Sequence, residues 1–379
     1  MTRIEPRTTA LKIVLIVFCF LVLGVTLSAG LWPFSFEKAN DVWWRPEQHG
    51  LYLGDYGMLV SGGGFSGIPS KEGGGYSIEI WMEPQLTWDS NTILTFYDPK
   101  HSPTFLLRQS GDDLSFSRSA GSRYEHTKPK SLFLDHVFRK GQNLLITLSS
   151  TPGTLSVYLN GVLKKKSERL EITEADFNGI MVVGNSPYGN SSLSAIFRGL
   201  AFYDRPLGAD EVAEHYRTWQ DNRELFAAQA NLPYALYLFN EQQGTIVRNV
   251  GRAGPDLVIP KNYFILEHTF LEPFWSEYQA TRSYVEDLAV NIFGLVPLGI
   301  CFGALFGWLI GSRRALLVVT SLGFCVSLTI EVLQAFMPTR LSGTTDLITN
   351  TLGTALGGWL YLNASTQSLL RRWGLIRGD

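Results

Sequence analysis

The stretch EVLQAFMPTRLSGTTDLITN, residues 331–350, decides the fold of the C-terminal part of the chain. It closes a mostly apolar run that begins at Ala315 and opens another that continues to Leu362. Each run approaches the roughly 20 residues that an α-helix needs to cross a bilayer. A charged side chain at the centre of a membrane helix costs about 2.5–3.5 kcal/mol. The carboxylates of Glu331 and Asp346 therefore require a structural or functional reason.

Four apolar runs are candidates for membrane helices. They are Ile13–Leu31, Leu288–Ile310, Ala315–Phe336 and the shorter Leu347–Leu362. The first run follows three basic residues and ends near Ser28-x-Gly30, which is also the layout of a signal peptide. The sequence thus leaves two alternatives for this run, a retained anchor or a cleaved signal, and we expect an anchor because it is long for a signal peptide.

The basic residues predict an orientation for these helices. They cluster before the first run, at Arg313 and Arg314, and at the C-terminal end of the chain. By the positive-inside rule these three sites lie in the cytoplasm. Residues from about 33 to 285 are then outside the cytoplasmic membrane, as in a multi-pass inner-membrane protein with a periplasmic domain. The formal net charge of −2 gives no reason to expect a nucleic-acid partner.

The long segment between the first two runs is typical of an all-β domain. Short β-branched and aromatic stretches such as YSIEIWMEP (76–84) and NLLITLSS (143–150) alternate with turn residues. Asn160-Gly161 predicts a type I′ hairpin turn. One helix follows, with Val212, Tyr216 and Trp219 on one face. This pattern indicates a two-sheet sandwich.

The segments SIEIWMEP, LSVYLNGVL and FRGLAFYDRPLGADEVAEHY resemble the laminin-G-like, concanavalin A-like jelly roll over about residues 43–218. This resemblance implies a jelly-roll fold that carries glycan or protein ligands. The segment Ala235–Pro260 resembles the opening strand of such a domain, yet it comes after the closing helix. We expect it to be a permuted strand of the sandwich; the alternative is a β-extension that leads to the membrane.

The sandwich shows no convincing catalytic or metal-binding pattern in its sequence. Glu79 and Glu83 resemble a glycosidase carboxylate pair, but in one strand they lie about 13 Å apart. Glycosidases need about 5–5.5 Å or 6.5–9.5 Å between the two groups. We therefore interpret them as a solvent-facing strand edge. The six histidines show no ligand spacing, so we predict no metal and no cofactor.

Polar and small residues share one face on each of the last three apolar runs. On the third run, Gly323, Ser327 and the pair Glu331 and Gln334 recur at helical spacing. The predicted outer-leaflet polar pocket consists of Asn291, Glu331, Gln334, Arg340, Asp346 and Asn350. Glycines that let helices approach closely are predicted at Gly299, Gly303, Gly307, Gly311, Gly353 and Gly357. We expect Asn350, Asn291 or Arg340 to be the partner of Glu331, because an ionisable group buried in a membrane needs one.

The strings NIFGLVPLG and EVLQAFMPTRLSGTTDLITNTLGTALGG resemble the VanZ family over about residues 288–362. The family is named for a bacterial membrane protein linked to glycopeptide resistance. The resemblance therefore implies a setting in the bacterial envelope and no defined reaction. In typical members the first helix is close to the others in sequence, whereas some 250 residues separate it here.

The sequence predicts a multidomain protein, with an all-β jelly-roll sandwich and an α-helical transmembrane bundle. The expected parts are an N-terminal anchor (1–32), the extracytoplasmic sandwich (33–230), the β-extension or permuted strand with a linker (231–285), a three-helix VanZ-like domain (286–364) and a cytoplasmic tail (365–379).

Three functions fit these features. The first is a binding module without enzymatic activity, whose membrane pocket holds a lipid or a lipid-linked envelope component and whose sandwich binds a glycan or an envelope protein. The second is an enzyme acting on a lipid-linked envelope precursor, with Glu331 as acid or base and Arg340 binding phosphate or carboxylate. The third is a purely structural scaffold. The absence of any Ser/His/Asp, Cys/His or metal-ligand set favours the first.

Overall fold

The computed structural model of the 379-residue chain describes residues 6–46, 48–71, 74–100, 105–118, 130–189, 191–221, 232–268, 270–278 and 282–373. The chain divides into two compact units. One consists of Met1–Phe36 together with His268–Asp379, and the other is Glu37–Glu267.

The unit Glu37–Glu267 is a β-sandwich. Its strands are β1 (Lys38–Ala39), β2 (Val42–Trp44), β3 (Leu51–Leu53), β4 (Leu59–Ser61), β5 (Phe65–Ser66), β6 (Tyr76–Pro84), β7 (Ser90–Tyr97), β8 (Phe105–Ser110), β9 (Asp113–Arg118), β10 (Lys130–Leu134), β11 (Leu144–Thr151), β12 (Thr154–Leu159), β13 (Val162–Ser167), β14 (Asn178–Val183), β15 (Ala195–Tyr203), β16 (Ala235–Tyr237), β17 (Ile246–Val247), β18 (Leu257–Val258) and β19 (Asn262–Tyr263). A 3-10 turn spans Glu174–Phe177, and helix α1 of the other unit precedes all of them at Pro6–Leu31.

Two antiparallel sheets form the layers of this sandwich. One runs in the order β13-β12-β11-β6-β15-β3-β2, and the other in the order β10-β9-β8-β7-β14-β4-β18-β17. The inward side chains of β6, Ile78, Ile80 and Met82, are buried in the core between the sheets. Because side chains alternate along a strand, Glu79 and Trp81 lie on the opposite face. Helix α2 (Ala209–Asp221) covers that face.

The hairpin predicted at Asn160-Gly161 is confirmed. Strands β12 and β13 pair on either side of these two residues. Their φ angles are 51° and 81°, the left-handed conformation that a type I′ turn requires at both central positions.

The segment after α2 contributes strands to both sheets. Strand β16 pairs with β15, whose Leu200, Ala201 and Phe202 lie opposite Tyr237, Leu236 and Ala235. Strand β18 pairs with β4, and β17 pairs with β18. Residues 235–258 therefore complete edges that the preceding strands leave open.

The unit built from the two chain ends is helical. Besides α1 it contains α3 (Phe274–Glu277), α4 (Arg282–Ile310), α5 (Ser312–Gln334), α6 (Thr344–Tyr361) and α7 (Ala364–Arg372). Within the described residues, three helices are long and apolar enough to cross a membrane, over Lys12–Leu31, Tyr284–Gly307 and Arg314–Gln334. The fourth apolar run forms the 18-residue α6, which lies outside these three.

Helix α1 packs against the other membrane helices of this unit. Its side chains Leu15 and Cys19 are buried in a cluster with Leu298 and Phe302 of α4. The Sγ of Cys19 lies 3.4 Å from the carbonyl oxygen of Cys301. The first helix is therefore part of the bundle, although a whole sandwich separates it in sequence from its neighbours.

Candidate functional site in the helical bundle

The inner face of α5 carries three buried polar side chains at successive turns. The exposed fractions are 0% for Ser327, 0% for Glu331 and 7% for Gln334. With a rise of about 1.5 Å per residue, the outer two are about 10 Å apart along the helix. This row is the centre of the polar cluster that the sequence predicts.

Glu331 is bound by the backbone at the start of α6. Its Oε2 accepts a hydrogen bond of 2.8 Å from the N–H of Gly343. The Ser342 hydroxyl lies close to the same carboxylate. The other oxygen, Oε1, is buried and has no hydrogen-bond partner among the described residues.

The expected partners of Glu331 are wrong, because each of the three binds elsewhere. Asn350 donates to Ser327 Oγ at 3.1 Å, and Asn291 donates to Asp346 at 2.7 Å. Arg340 donates to the carbonyl of Trp32 at 2.5 Å. The physical reason is that the first N–H groups of a helix have no intrahelical acceptor, so Gly343 at the start of α6 offers Glu331 a donor without any side chain.

Asn350 and Gln334 lie on either side of Glu331, and their side-chain amides make the same kind of hydrogen bond. Each uses its amide NH₂ group: Asn350 on Ser327, and Gln334 on the carbonyl of Gly30 at 2.7 Å. Each leaves its side-chain carbonyl oxygen buried without a partner in the described part of the chain. Thr339 Oγ1 is a further buried oxygen in this region that has no partner among the described residues.

Two further acids, which sequence reasoning missed, border this cluster. Glu277 of α3 accepts hydrogen bonds from the N–H of Thr345 at 3.0 Å and from its hydroxyl. Glu272 forms a parallel bridge with Gly343, and its carbonyl accepts from Thr344. Burial raises the pKa of Glu277, which lies outside the membrane helices. The sequence signal for these two acids is the apolar and aromatic composition of residues 270–278. This composition indicates that the segment packs on another part of the protein, but it does not reveal which residues the acids bind.

The charges in this region are mostly negative. The carboxylates of Asp346 and Glu277 are near enough to Glu331 to interact with it electrostatically. Arg340 interacts with Asp346. The one guanidinium described here thus lies near the Asp346 carboxylate, and its Nη2 already donates to a backbone carbonyl.

The predicted glycines explain how the helices approach one another, with one correction. A Cβ added to Gly299 would lie 2.1 Å from the carbonyl of Thr354 and 2.9 Å from the Cα of Gly357. Gly303 and Gly307 face Tyr361, and Gly353 faces the carbonyl of Ile292. The prediction for Gly311 is wrong, because this residue has a φ of 84° at the break between α4 and α5 and no atom within 4 Å of an added Cβ.

The interpretation of Glu79 as a solvent-facing residue is also wrong. It lies on the central strand β6 under α2 and is 0% exposed. It accepts hydrogen bonds from Tyr203 at 2.9 Å, Trp219 at 3.1 Å and Thr147 at 3.3 Å, and His215 Nδ1 lies 3.2 Å from both of its oxygens. Glu83 pairs with Arg198 instead. The two glutamates therefore have separate structural partners.

One group of potential metal ligands is present in the described sandwich. The ligand atoms of Asp112, Asp113 and His136 lie within 4.8 Å of one another at an exposed turn. His136 Nδ1 bonds Asp112 at 2.7 Å, and the His136 N–H bonds Asp113 at 2.9 Å. These bonds account for the arrangement without an ion.

Comparison with known families agrees with both parts of the fold. Residues 64–213 match the model of the concanavalin A-like lectin/glucanases superfamily. Residues 228–367 match the model of the VanZ/LLP1 family, a range that includes strands β16–β19 as well as helices α3–α6. The protein joins a concanavalin A-like domain to a VanZ-like domain. It is thus a membrane protein with a lectin-type sandwich, and the suspected fusion is confirmed.

Solved structures show a distant likeness to part of the chain. The receptor binding domain of botulinum neurotoxin C/D mosaic serotype is 16% identical, with a TM-score of 0.36, and the match covers 47% of this chain and 45% of that one. The binding domain of botulinum neurotoxin DC in complex with rat synaptotagmin II is 13% identical, with a TM-score of 0.35 and 57% of each chain covered. The match thus spans about half the length of each of these two structures. No curated protein matches the chain.

Proposed function

We propose that the VanZ-like bundle holds the head group of an amphiphilic or lipid-linked component of the bacterial envelope in its polar cluster. The sandwich, on the outer side of the cytoplasmic membrane, binds a glycan or an envelope protein. The observation that carries the membrane part is the set of buried oxygens without a partner. Among the described residues of the helical unit they belong to Glu331, Gln334, Thr339 and Asn350, which all lie in this one cluster.

A cluster that only locks helices together should satisfy its own polar atoms. Leaving one buried donor or acceptor unpaired costs about 1–3 kcal/mol. Buried polar groups of native proteins are therefore nearly always bonded. Three unpaired oxygens, on Glu331 and Gln334 of α5 and on Asn350 of α6, support a site whose remaining partners come from a ligand.

The surroundings of the cluster suit an amphiphile. Gly30, Thr339 and Arg340 are only half-buried and form its outer rim. The carbonyl of Trp32, which binds Arg340, belongs to a residue that also lines a shallow groove of about 600 Å³ along α1. The groove is otherwise lined by small and apolar residues from Leu21 to Ala29. A hydrocarbon chain can lie in this groove while its head group reaches the rim.

The test is to identify amphiphiles that remain bound to the purified full-length protein. Native mass spectrometry of the wild type should show a defined adduct, and Glu331→Leu and Asn350→Leu should lose it. Thr329→Val is the matched control, since Thr329 is an exposed polar residue on the same helix that bonds only the carbonyl of Cys325. The same adducts in all four proteins would show that the cluster is purely structural.

The proposed orientation has its own test. In a variant without native cysteines, single cysteines at Ser110 and Leu341 should react with an impermeant thiol reagent in spheroplasts, and one at Ser312 should not. Both of the first two positions are partly or fully accessible in the folded units. Labelling of Ser312→Cys without labelling of Leu341→Cys would reverse the orientation.

A further inference from the structure

Most of the hydrogen-bonding capacity left over in the described part of the cluster is acceptor capacity. Glu331 has one free carboxylate oxygen, and Gln334 and Asn350 each have a free carbonyl oxygen, while the NH₂ groups of both amides are already used. These three side chains are each at least nine-tenths buried. Apart from the Thr339 hydroxyl, which can both donate and accept, the unused groups are acceptors, so acceptors outnumber donors in the cluster.

Protonation of the cluster itself does not remove this excess. A proton on Glu331 would supply one O–H donor, and a carboxylic acid has only one. It could serve the carbonyl of Gln334 or that of Asn350 but not both. One of these two carbonyl oxygens would still lack a donor from Glu331, and an unpaired buried acceptor destabilises the folded protein.

The backbone donors that would suit an anionic head group are already engaged. The N–H of Gly343 and that of Thr345, at the start of α6, bind the carboxylates of Glu331 and Glu277. Arg340 donates to Trp32 and is near Asp346. A phosphate or carboxylate entering here would have to displace these bonds and approach three carboxylates.

We propose that the head group bound in this cluster is a primary ammonium, a cation with three N–H donors. This inference rests on the proposed function and names its ligand class. The three N–H groups match the three free acceptor oxygens in number. The positive charge suits Glu331, with Asp346 and Glu277 close by. Charge-assisted N–H···O bonds are about twice as strong as neutral ones, which favours an amine over a hydroxyl head group.

The experiment uses full-length protein in nanodiscs that contain equal amounts of phosphatidylethanolamine, phosphatidylcholine and phosphatidylglycerol with the same acyl chains. The first carries a primary ammonium, the second a cation without N–H donors, and the third no cation. Native mass spectrometry should show phosphatidylethanolamine retained about tenfold over the other two, as expected for roughly 1.4 kcal/mol of preference. Glu331→Gln should reduce this ratio to that of the bulk lipid, and Thr329→Val should not.

A second arm identifies the source of the ammonium. Ethanolamine is added to protein in nanodiscs of phosphatidylcholine alone, and thermal unfolding is followed. Stabilisation of the wild type but not of Glu331→Gln assigns the site to a free amine. Retention of phosphatidylethanolamine without that stabilisation assigns it to a lipid head group. Both results support a primary ammonium ligand.

The contrary outcomes separate the two proposals. Equal retention of phosphatidylcholine would overturn the need for N–H donors, and preferential retention of phosphatidylglycerol would overturn the cation. If the wild type retains phosphatidylcholine or phosphatidylglycerol and Glu331→Gln does not, a head-group site still exists at this cluster. The proposed function then stands, although the ammonium proposal is overturned. Equal retention of all lipids by wild type and variant, with no response to ethanolamine, overturns both proposals. Retention of phosphatidylethanolamine that Glu331→Gln does not reduce overturns the assignment to this cluster.

Discussion

The two units of the protein each bury a glutamate completely, and their surroundings differ. Glu79 in the sandwich is surrounded by Tyr203, Trp219, Thr147 and His215, and both of its oxygens accept hydrogen bonds. Glu331 in the bundle accepts a hydrogen bond from the N–H of Gly343, lies close to the Ser342 hydroxyl, and leaves one oxygen unpaired among the described residues. Both glutamates are completely buried, so the difference between them lies in how many of their carboxylate oxygens are bonded.

The difference has a plain origin in the two environments. In the sandwich, the phenol of Tyr203 and, from α2, the indole of Trp219 and the imidazole of His215 lie over strand β6. Both oxygens of the Glu79 carboxylate therefore have hydrogen-bond partners within the protein. In the bundle, close approach at glycines brings backbones together but supplies few donors. The carboxylate of Glu331 can thus accept a further hydrogen bond, whereas that of Glu79 is already fully bonded. The following predictions test this contrast.

The largest effect is expected for Glu79→Leu. The substitution leaves the Tyr203 hydroxyl, the Trp219 N–H and His215 buried without their acceptor. Removing one partner from such a buried network costs about 3–5 kcal/mol. Hydrogen exchange of the full-length protein should show loss of protection in β6 and β15. Glu83→Leu, which removes a partly buried ion pair with Arg198, is the comparison and should cost less. Unchanged exchange in β6 would contradict the structural role of Glu79.

The next largest effect is expected where helices α4 and α6 of the bundle pack closely at a glycine. Gly299→Ala would place a Cβ 2.1 Å from the Thr354 carbonyl and force α4 and α6 apart. Overpacking of this kind costs about 1–3 kcal/mol. Gly294→Ala, one turn and a half away on the same helix with open space around it, is the matched control and should be neutral or stabilising. Equal thermal stability of the two variants would show that close helix contact is not the source of stability.

A smaller effect is expected for the stability of Glu331→Leu. It removes the hydrogen bond from the Gly343 N–H and the interaction with the Ser342 hydroxyl, but also the larger cost of burying a poorly paired carboxylate. The change in unfolding free energy should therefore be neutral or stabilising by about 1–2 kcal/mol. Thermal unfolding in nanodiscs measures this, alongside the loss of the bound amphiphile. A destabilisation as large as that of Glu79→Leu would erase the distinction between the two acids.

The smallest effect is the pH dependence of the sandwich. Burial by itself lowers the pKa of His215, but its bond to Glu79 and the nearby Glu211 outweigh this, so the pKa is raised above its ordinary value of about 6.5. A raised pKa in the folded state means that the stabilisation is complete below about pH 6.5 and is lost as the pH rises through the folded-state value.

The unfolding midpoint of the wild-type sandwich should accordingly fall slightly between pH 6 and pH 8, values chosen to lie on either side of the ordinary histidine pKa of about 6.5. His215→Gln should flatten that dependence. A midpoint that rises over this interval in the wild type alone would contradict the sign of the shift.

Much of the architecture was predictable because its signals are local. The type I′ turn at Asn160-Gly161 depends on two adjacent residues, and the membrane helices depend on the length of apolar runs. The polar face of α5 follows from helical spacing alone. These features need no knowledge of which segments meet in space.

The partners of the buried acids were not predictable for the opposite reason. Glu79 is buried because α2, which begins 130 residues later, covers its strand. Glu331 binds a backbone N–H, which carries no side-chain signal in a sequence. Gly311 shares the spacing of the packing glycines, yet the chain breaks its helix there. In each case the tertiary arrangement decides, and spacing within one segment does not reveal it.

The strands that follow α2 have a consequence for how this protein can be divided. The concanavalin A-like family match ends at residue 213, but β16 and β18, beyond it, pair with β15 and β4. An expression fragment ended at the family boundary would expose the backbone edges of two strands, which are templates for aggregation. A fragment ended after Glu267 would retain them. In the same way, a recombination breakpoint between the two matched regions would split the sandwich, so the two domains can be exchanged between proteins only if the breakpoint lies after β19.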